Sequence, residues 1–170
     1  MTIAEILLQD YDTEIANTRR TLERVPKDKP DWAPHEKSMK MGRLAMHCAT
    51  LPMMGLYIIE DPGMDMMAPT RPRTSLDFES AERCIAILDE GAAKTRAAIA
   101  AASDEDLLKP WPFSVGPNVI SNLPRSLTVR LWTTNHLIHH TAQLGVYLRL
   151  SDIAVPGLYG PSADEQFQAK

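Results

Sequence analysis

Cysteine is nearly missing from this chain. Cys48 and Cys84 are the only two among 170 residues, they stand 36 positions apart, and no CxxC occurs. A thioredoxin-type redox motif and a cysteine-built zinc cluster are therefore excluded, and the pair reads as reduced core residues of a cytoplasmic protein. No apolar run approaches the roughly 18 residues of a membrane span. The opening Met1-Thr2-Ile3-Ala4-Glu5 has no basic region, so no secretory leader is expected. Cations are not in excess: 18 Lys and Arg stand against 22 Asp and Glu, a formal net charge of −4 with a pI near 5.7. That leaves no basic footprint for nucleic acid. Neither nucleic acid nor a membrane is an expected partner.

Glycine is scarce as well, with 8 residues, whereas proline reaches 13 and reverses the usual order of the two. The length points to a single domain over residues 1–170, and 44% hydrophobic with 24% charged residues is ordinary for a soluble globular fold. Proline lacks the amide donor and clashes with the preceding helical turn, so long helices belong in the gaps between prolines. Four windows emerge, residues 2–25, 38–59, 75–102 and 124–150. Each carries helical periodicity and none a sustained strand alternation.

The first window opens on Thr2-Ile3-Ala4-Glu5, a capping-box pattern. Ile3, Leu7, Tyr11, Ile15, Thr18, Leu22 and Val25 follow on one stripe. The second starts at Ser38 as its cap and sets Leu44, His47, Leu51, Met54 and Ile58 on one face; Pro52 inside it predicts a kink or an early break. We expect that bend to open a cavity near His47. In the third, Phe78, Ala81, Ile85, Leu88, Ala92, Thr95 and Ile99 step alternately by three and four, the stripe of packed helices. Ser103 to Asp106 resembles a second capping box, for a short helical turn. The fourth begins near Pro124. The expectation is an all-α fold, an up-and-down four-helix bundle with short extra helical turns. The stretch Pro110 to Asn118 is a long loop for such a bundle, and its Trp111 and Phe113 argue that it packs across one end.

The histidines carry the chemistry. At about 100° per residue, His136 and His140 fall together on the apolar arc of the fourth window, with Leu137 and Leu144. An i, i+4 pair of imidazoles on one helix face is a common way to hold zinc or another divalent ion. A third ligand should come from a facing helix, and His47 sits on the apolar stripe of the second window. Three histidine ligands leave a coordination position open, the arrangement of a catalytic metal rather than a structural one. The bland alternative is three satisfied core histidines, each needing a partner for a buried nitrogen. No protein nucleophile or general base stands out, so catalytic residues stay unassigned, with Gln143 and His139 as candidates to line the site. His35, in a proline-rich loop, reads as a local turn residue, Cys48 as a packing residue, and the nine methionines as gap fillers.

Several stretches resemble the DinB family: Asp31-Trp32-Ala33-Pro34-His35-Glu36-Lys37-Ser38-Met39, Leu44-Ala45-Met46-His47, Asn135-His136 through Arg149, and Val155-Pro156-Gly157 through Glu165. They cover nearly the whole chain in order. The resemblance implies a four-helix bundle, commonly a homodimer, with a divalent metal, zinc or nickel, on three histidines that match His47, His136 and His140. Relatives in the wider superfamily use low-molecular-weight thiols, which implies either thiol-dependent transfer or hydrolysis of a small-molecule substrate at the metal. A non-enzymatic, stress-associated metal-binding dimer is the other reading. Many members read His-His-Arg-Gly-Gln where this chain has His139-His140-Thr141-Ala142-Gln143. The missing arginine is expected to concern a surface or dimer contact.

Overall fold

The computed structural model describes residues 1–68 and 75–166. The chain runs α1 (Ile3–Leu22), α2 (Met41–Thr50), α3 (Pro52–Glu60), β1 (Met64–Asp65), α4 (Ala81–Ala101), α5 (Asp104–Leu108), β2 (Pro110–Val115), β3 (Asn118–Pro124), α6 (Arg125–Val129), a π-helical segment (Arg130–Asn135) and α7 (His136–Leu150). Among these residues no helix is long and apolar enough to cross a membrane.

The helix starts follow local chemistry. Thr2 Oγ1 accepts from the Glu5 amide while Glu5 Oε2 accepts from the Thr2 amide, the reciprocal pair that satisfies two otherwise free donors. Ser80 Oγ accepts from the Arg83 amide and Ser103 Oγ from the Asp106 amide, capping α4 and α5. Helix α2 differs from expectation. It begins at Met41, after an uncapped Lys40, and not at Ser38. Its first amides are satisfied by the preceding loop: Met41 N donates to Trp32 O and Gly42 N to Pro30 O. That backbone pairing does the work assigned to the Ser38 hydroxyl.

The all-α, up-and-down four-helix bundle is overturned on two counts. The first is a three-stranded mixed sheet of order β1-β2-β3. Residues 110–124 form an antiparallel hairpin, with Pro110 opposite Pro124 and Pro112 opposite Asn122, where a loop was expected. Its prolines hid it, since proline cannot donate to a ladder. They are tolerated because β1 runs parallel to β2 only at Phe113 and Ser114, leaving residues 110–112 unpaired on that side. Between the prolines, Trp111 and Phe113 alternate inward and are buried. Gly116, at φ +56°, makes the turn, and Asp65 Oδ1 accepts from its amide, fastening β1 to the hairpin.

The second count is helix direction. Met46 meets Cys84, Pro52 meets Thr95, and Ile58 shares a cluster with Ile99, so α2–α3 and α4 run the same way. Arg19 pairs with Asp89 and Arg96 with Asp12, so α1 opposes α4. Asp10 pairs with Arg130 and Thr18 with Thr141, so α1 and the last helix are parallel. The order is up, down, down, up, so α3 ends and α4 begins at opposite ends of the helical array. Within the 61–80 connection, Pro69 and Pro72 lie outside the described residues.

Two apolar clusters form the core. One gathers Leu22, Leu44, Leu51, Leu88, Leu137 and Leu144; the other gathers Leu7, Ile58, Ile99, Trp111, Phe113 and Val129. Between them lies a belt of small and hydroxyl residues, including Tyr11, Thr18, Gly55, Gly91, Thr95, Thr133 and Thr141, all buried. The second-window helix does break before Pro52, but the space there is taken by α4. Thr95 Oγ1 donates to Pro52 O at 2.6 Å, and a Cβ on Gly91 would already lie 3.3 Å from Met53 N. The expected bend therefore serves close helix packing and not a cavity.

A Cβ added at Gly55 would lie 2.4 Å from Thr95 Cγ2, on a stiff, hydrogen-bonded side chain. Glycine to alanine in an open helix gains about 1 kcal/mol. Here Gly55→Ala should instead lose about 1–3 kcal/mol, as overpacking does. The check is a urea midpoint that falls with an unchanged m-value.

Candidate metal centre

His136 and His140 project from the start of α7 and His47 from the middle of α2. One ligand atom from each of the three lies within 4.8 Å of the others. The ring centroids are 5.2 Å apart for His47 and His136, 4.5 Å for His47 and His140, and 4.7 Å for His136 and His140. His140 is buried, and His47 and His136 are half-buried at the mouth.

The hydrogen bond behind His140 decides which of its nitrogens faces inward. Gln143 Oε1 lies 2.8 Å from His140 Nδ1. A carbonyl oxygen only accepts, so Nδ1 carries the hydrogen and Nε2 is bare. The Trp132 backbone acts on the His136 ring in the opposite sense to burial, raising its pKa. His140 Nε2 then faces His136 Nε2 at 2.9 Å. In the metal-free chain a His136 Nε2–H donating to His140 Nε2 satisfies that contact, and a divalent ion takes the place of the proton. In a tetrahedral zinc site with bonds of 2.0–2.1 Å, ligand nitrogens sit roughly 3.3 Å apart. The donors therefore fit a divalent ion after small side-chain shifts, and the Gln143 carbonyl is the orienting kind of partner that histidine ligands usually have.

Electrostatics agree with neutral rings. Burial first, then the charges of His140, His136 and Arg43, pull the His47 pKa down to about 4. Burial lowers His136 and His140 too, helped by His140 and His139 for the first and by His139 for the second. Among the described residues no carboxylate belongs to the cluster.

The other candidates sort cleanly. Gln143 holds the His140 ring. His139 is exposed, its ring 4.8 Å from that of His140, at the rim. His35 Nδ1 accepts from the Lys37 amide, a local turn. Cys48 packs: burial pushes its thiol up to about 12, next to Thr141. Thr141 corrects the expectation for the missing arginine. It is buried and its hydroxyl lies 2.8 Å from Thr18 Oγ1, so the position belongs to the α1–α7 interior and not to the surface. Sequence reasoning missed Trp132 and Arg43, although each lies four residues before a ligand candidate, His136 and His47 respectively, where the helical wheel would have found it.

The pH response of the metal-free chain follows. His47 titrates near 4 folded and near 6.5 unfolded, so between those values the unfolded chain binds more protons. Stability is then full above about pH 6.5 and falls as the pH drops toward about 4. Urea midpoints across that range should show the loss, and His47→Gln should flatten it.

Comparison with known proteins bears on the same residues. The DinB superfamily profile matches residues 10–144. The fold is similar to that of a DinB-like protein from Bacillus cereus ATCC 10987, at 19% identity and TM-score 0.66, covering 91% of this chain and 97% of that one. It is likewise similar to a DinB-like protein, YjoA, from Bacillus subtilis, at 18% identity and TM-score 0.68, covering 95% and 99%. No curated protein matches. With the family profile spanning most of its length, the chain belongs to the DinB superfamily.

Proposed function

We propose that the chain binds one divalent metal ion, zinc or nickel, through His47, His136 and His140, and works as a metal-dependent enzyme on a small molecule. The observation that carries this is the convergence of three imidazoles, one ligand nitrogen from each within 4.8 Å of the others, with the His140 ring oriented by Gln143. Such an ion acts as a Lewis acid and stabilises a bound anion such as a thiolate.

The chain's own groups do the rest. His47, His136 and His140 hold three positions and leave one side open. Gln143 keeps the His140 imidazole turned inward. Trp132, its ring 6.3 Å from His136 and 4.8 Å from Phe113, walls one flank with apolar surface. Because no carboxylate joins the cluster among the described residues, the hydrolytic reading lacks the acid–base partner that a metal-activated water ordinarily needs. Thiol-dependent transfer is favoured over hydrolysis for that reason.

Metal analysis of protein purified without chelator should find about one divalent ion per chain, lost on replacing His47, His136 or His140 by alanine. Gln143→Ala should weaken metal affinity about 10–100-fold, the usual cost of removing an orienting partner. If the site is catalytic, His47→Ala removes thiol-transfer turnover while the circular dichroism spectrum is kept. A site that only ties helices together lowers the melting temperature instead.

The homodimer implied by the family resemblance belongs to the same proposal. Val146 and Leu150 on α7 are each 57% exposed and lie one turn apart, an apolar strip suited to burial against a second copy. Light scattering should give twice the 18.9 kDa chain mass, reduced to one chain by Val146→Lys.

A further inference from the structure

The groove between α2 and α7 has a one-sided charge balance. Three neutral imidazoles bring no negative charge to a divalent ion. Among the described residues, the charged groups that act on these rings are the rings themselves, His139 and Arg43. A loaded site would keep its full double positive charge, in a chain whose own charge is −4.

Arg43 adds to that charge from a defined place. It lies four residues before His47 on α2, hence one turn away on the same face. Its side chain is exposed, on the side where His47 meets solvent. Six other arginines, Arg19, Arg20, Arg24, Arg96, Arg130 and Arg149, each have a carboxylate partner, whereas Arg83 and Arg125 have no ion pair among the described residues and Arg125 is held by backbone carbonyls. Arg43 also has no ion pair among the described residues. A guanidinium left free beside an anion-demanding centre is suited to bidentate recognition of a carboxylate.

We infer that Arg43 is a specificity-determining residue of this site, selecting small metal-binding ligands that carry a second, carboxylate group. The inference rests on the metal-binding reading above. The ligand's first donor, such as a thiolate, occupies the open side of the three histidines. Its carboxylate lies one helical turn along α2, against the guanidinium. Residues at i and i+4 have Cβ atoms about 5–6 Å apart, a span covered by a two-carbon mercaptocarboxylate together with the arginine side chain.

Cobalt(II)-loaded protein provides the test, titrated with mercaptoacetate and with 2-mercaptoethanol while the thiolate-to-cobalt charge-transfer absorption is followed. Both have the same thiol donor and only the first has the carboxylate. Mercaptoacetate should bind about ten- to a hundredfold more tightly, the range of a hydrogen bond to a charged group. Arg43→Gln should remove that preference and leave 2-mercaptoethanol binding unchanged, and Arg43→Lys should restore part of it. Equal binding of the two thiols by the wild-type chain, or a preference that survives Arg43→Gln, overturns the inference while leaving the metal site standing. A chain that takes up no cobalt overturns the metal reading and this inference with it.

Discussion

Helices α3 and α4 follow one another in the chain yet run in the same direction, side by side, and much of the architecture follows from that constraint. Consecutive antiparallel helices can be joined by a short turn, whereas a parallel pair needs a connection that returns along the whole molecule. At the start of that connection Met64 and Asp65 form β1 and pair with β2. The hairpin in turn sends Trp111 and Phe113 into the lower core, where they pack with Ile58, Ile99 and Val129. The same arrangement leaves α2 facing the final helix in antiparallel fashion, which brings a single histidine of one opposite an i, i+4 pair of the other.

How much of this can be read from the residues depends on the range of the signal. Capping at Thr2 and Ser103 is a local matter and explicit in the sequence, whereas the Ser80 cap that starts α4 was not singled out. The meeting of His47 with His136 and His140 was legible because each lies on an amphipathic face, and two such faces must pack together. Helix direction was not legible. Periodicity identifies a buried stripe but says nothing of which way the helix runs, so four windows default to the simplest alternation. The hairpin was masked by Pro110, Pro112, Pro117 and Pro124, whose tolerance depends on an absent neighbour strand. Helical spacing also does not carry back unchanged from His136 to Val129. The π-helical turn between them has more residues per turn than an α-helix, so Val129 serves the lower cluster while Leu137 and Leu144 serve the upper one.

The three imidazoles combine two effects that usually oppose each other. Burial keeps them unprotonated, as a metal requires of its ligands, and it also raises the cost of leaving their nitrogens without partners. The Gln143 amide resolves part of that conflict by taking the His140 Nδ1 hydrogen. The Nε2 atoms of His140 and His136 meet each other on the inner side. Nearby cations deepen the effect, so the neutral state of His47 does not depend on a bound ion.

The polar belt between the two apolar clusters has a further consequence, for alignment. Apolar side chains tolerate sliding, since a leucine in a groove is nearly as well packed half a turn away. Hydroxyls do not. Thr18 against Thr141 sets α1 to α7, and Thr95 against the Pro52 carbonyl sets α4 to the junction of α2 and α3. Each pair permits one position, because a slip of a turn, about 5.4 Å, would strand both partners away from water. The belt thus works as a vernier, and the two helices that carry the histidines are each held on it. A slip of that size between them would carry His47 beyond reach of the other two, so the hydroxyls keep a three-point centre true without touching it.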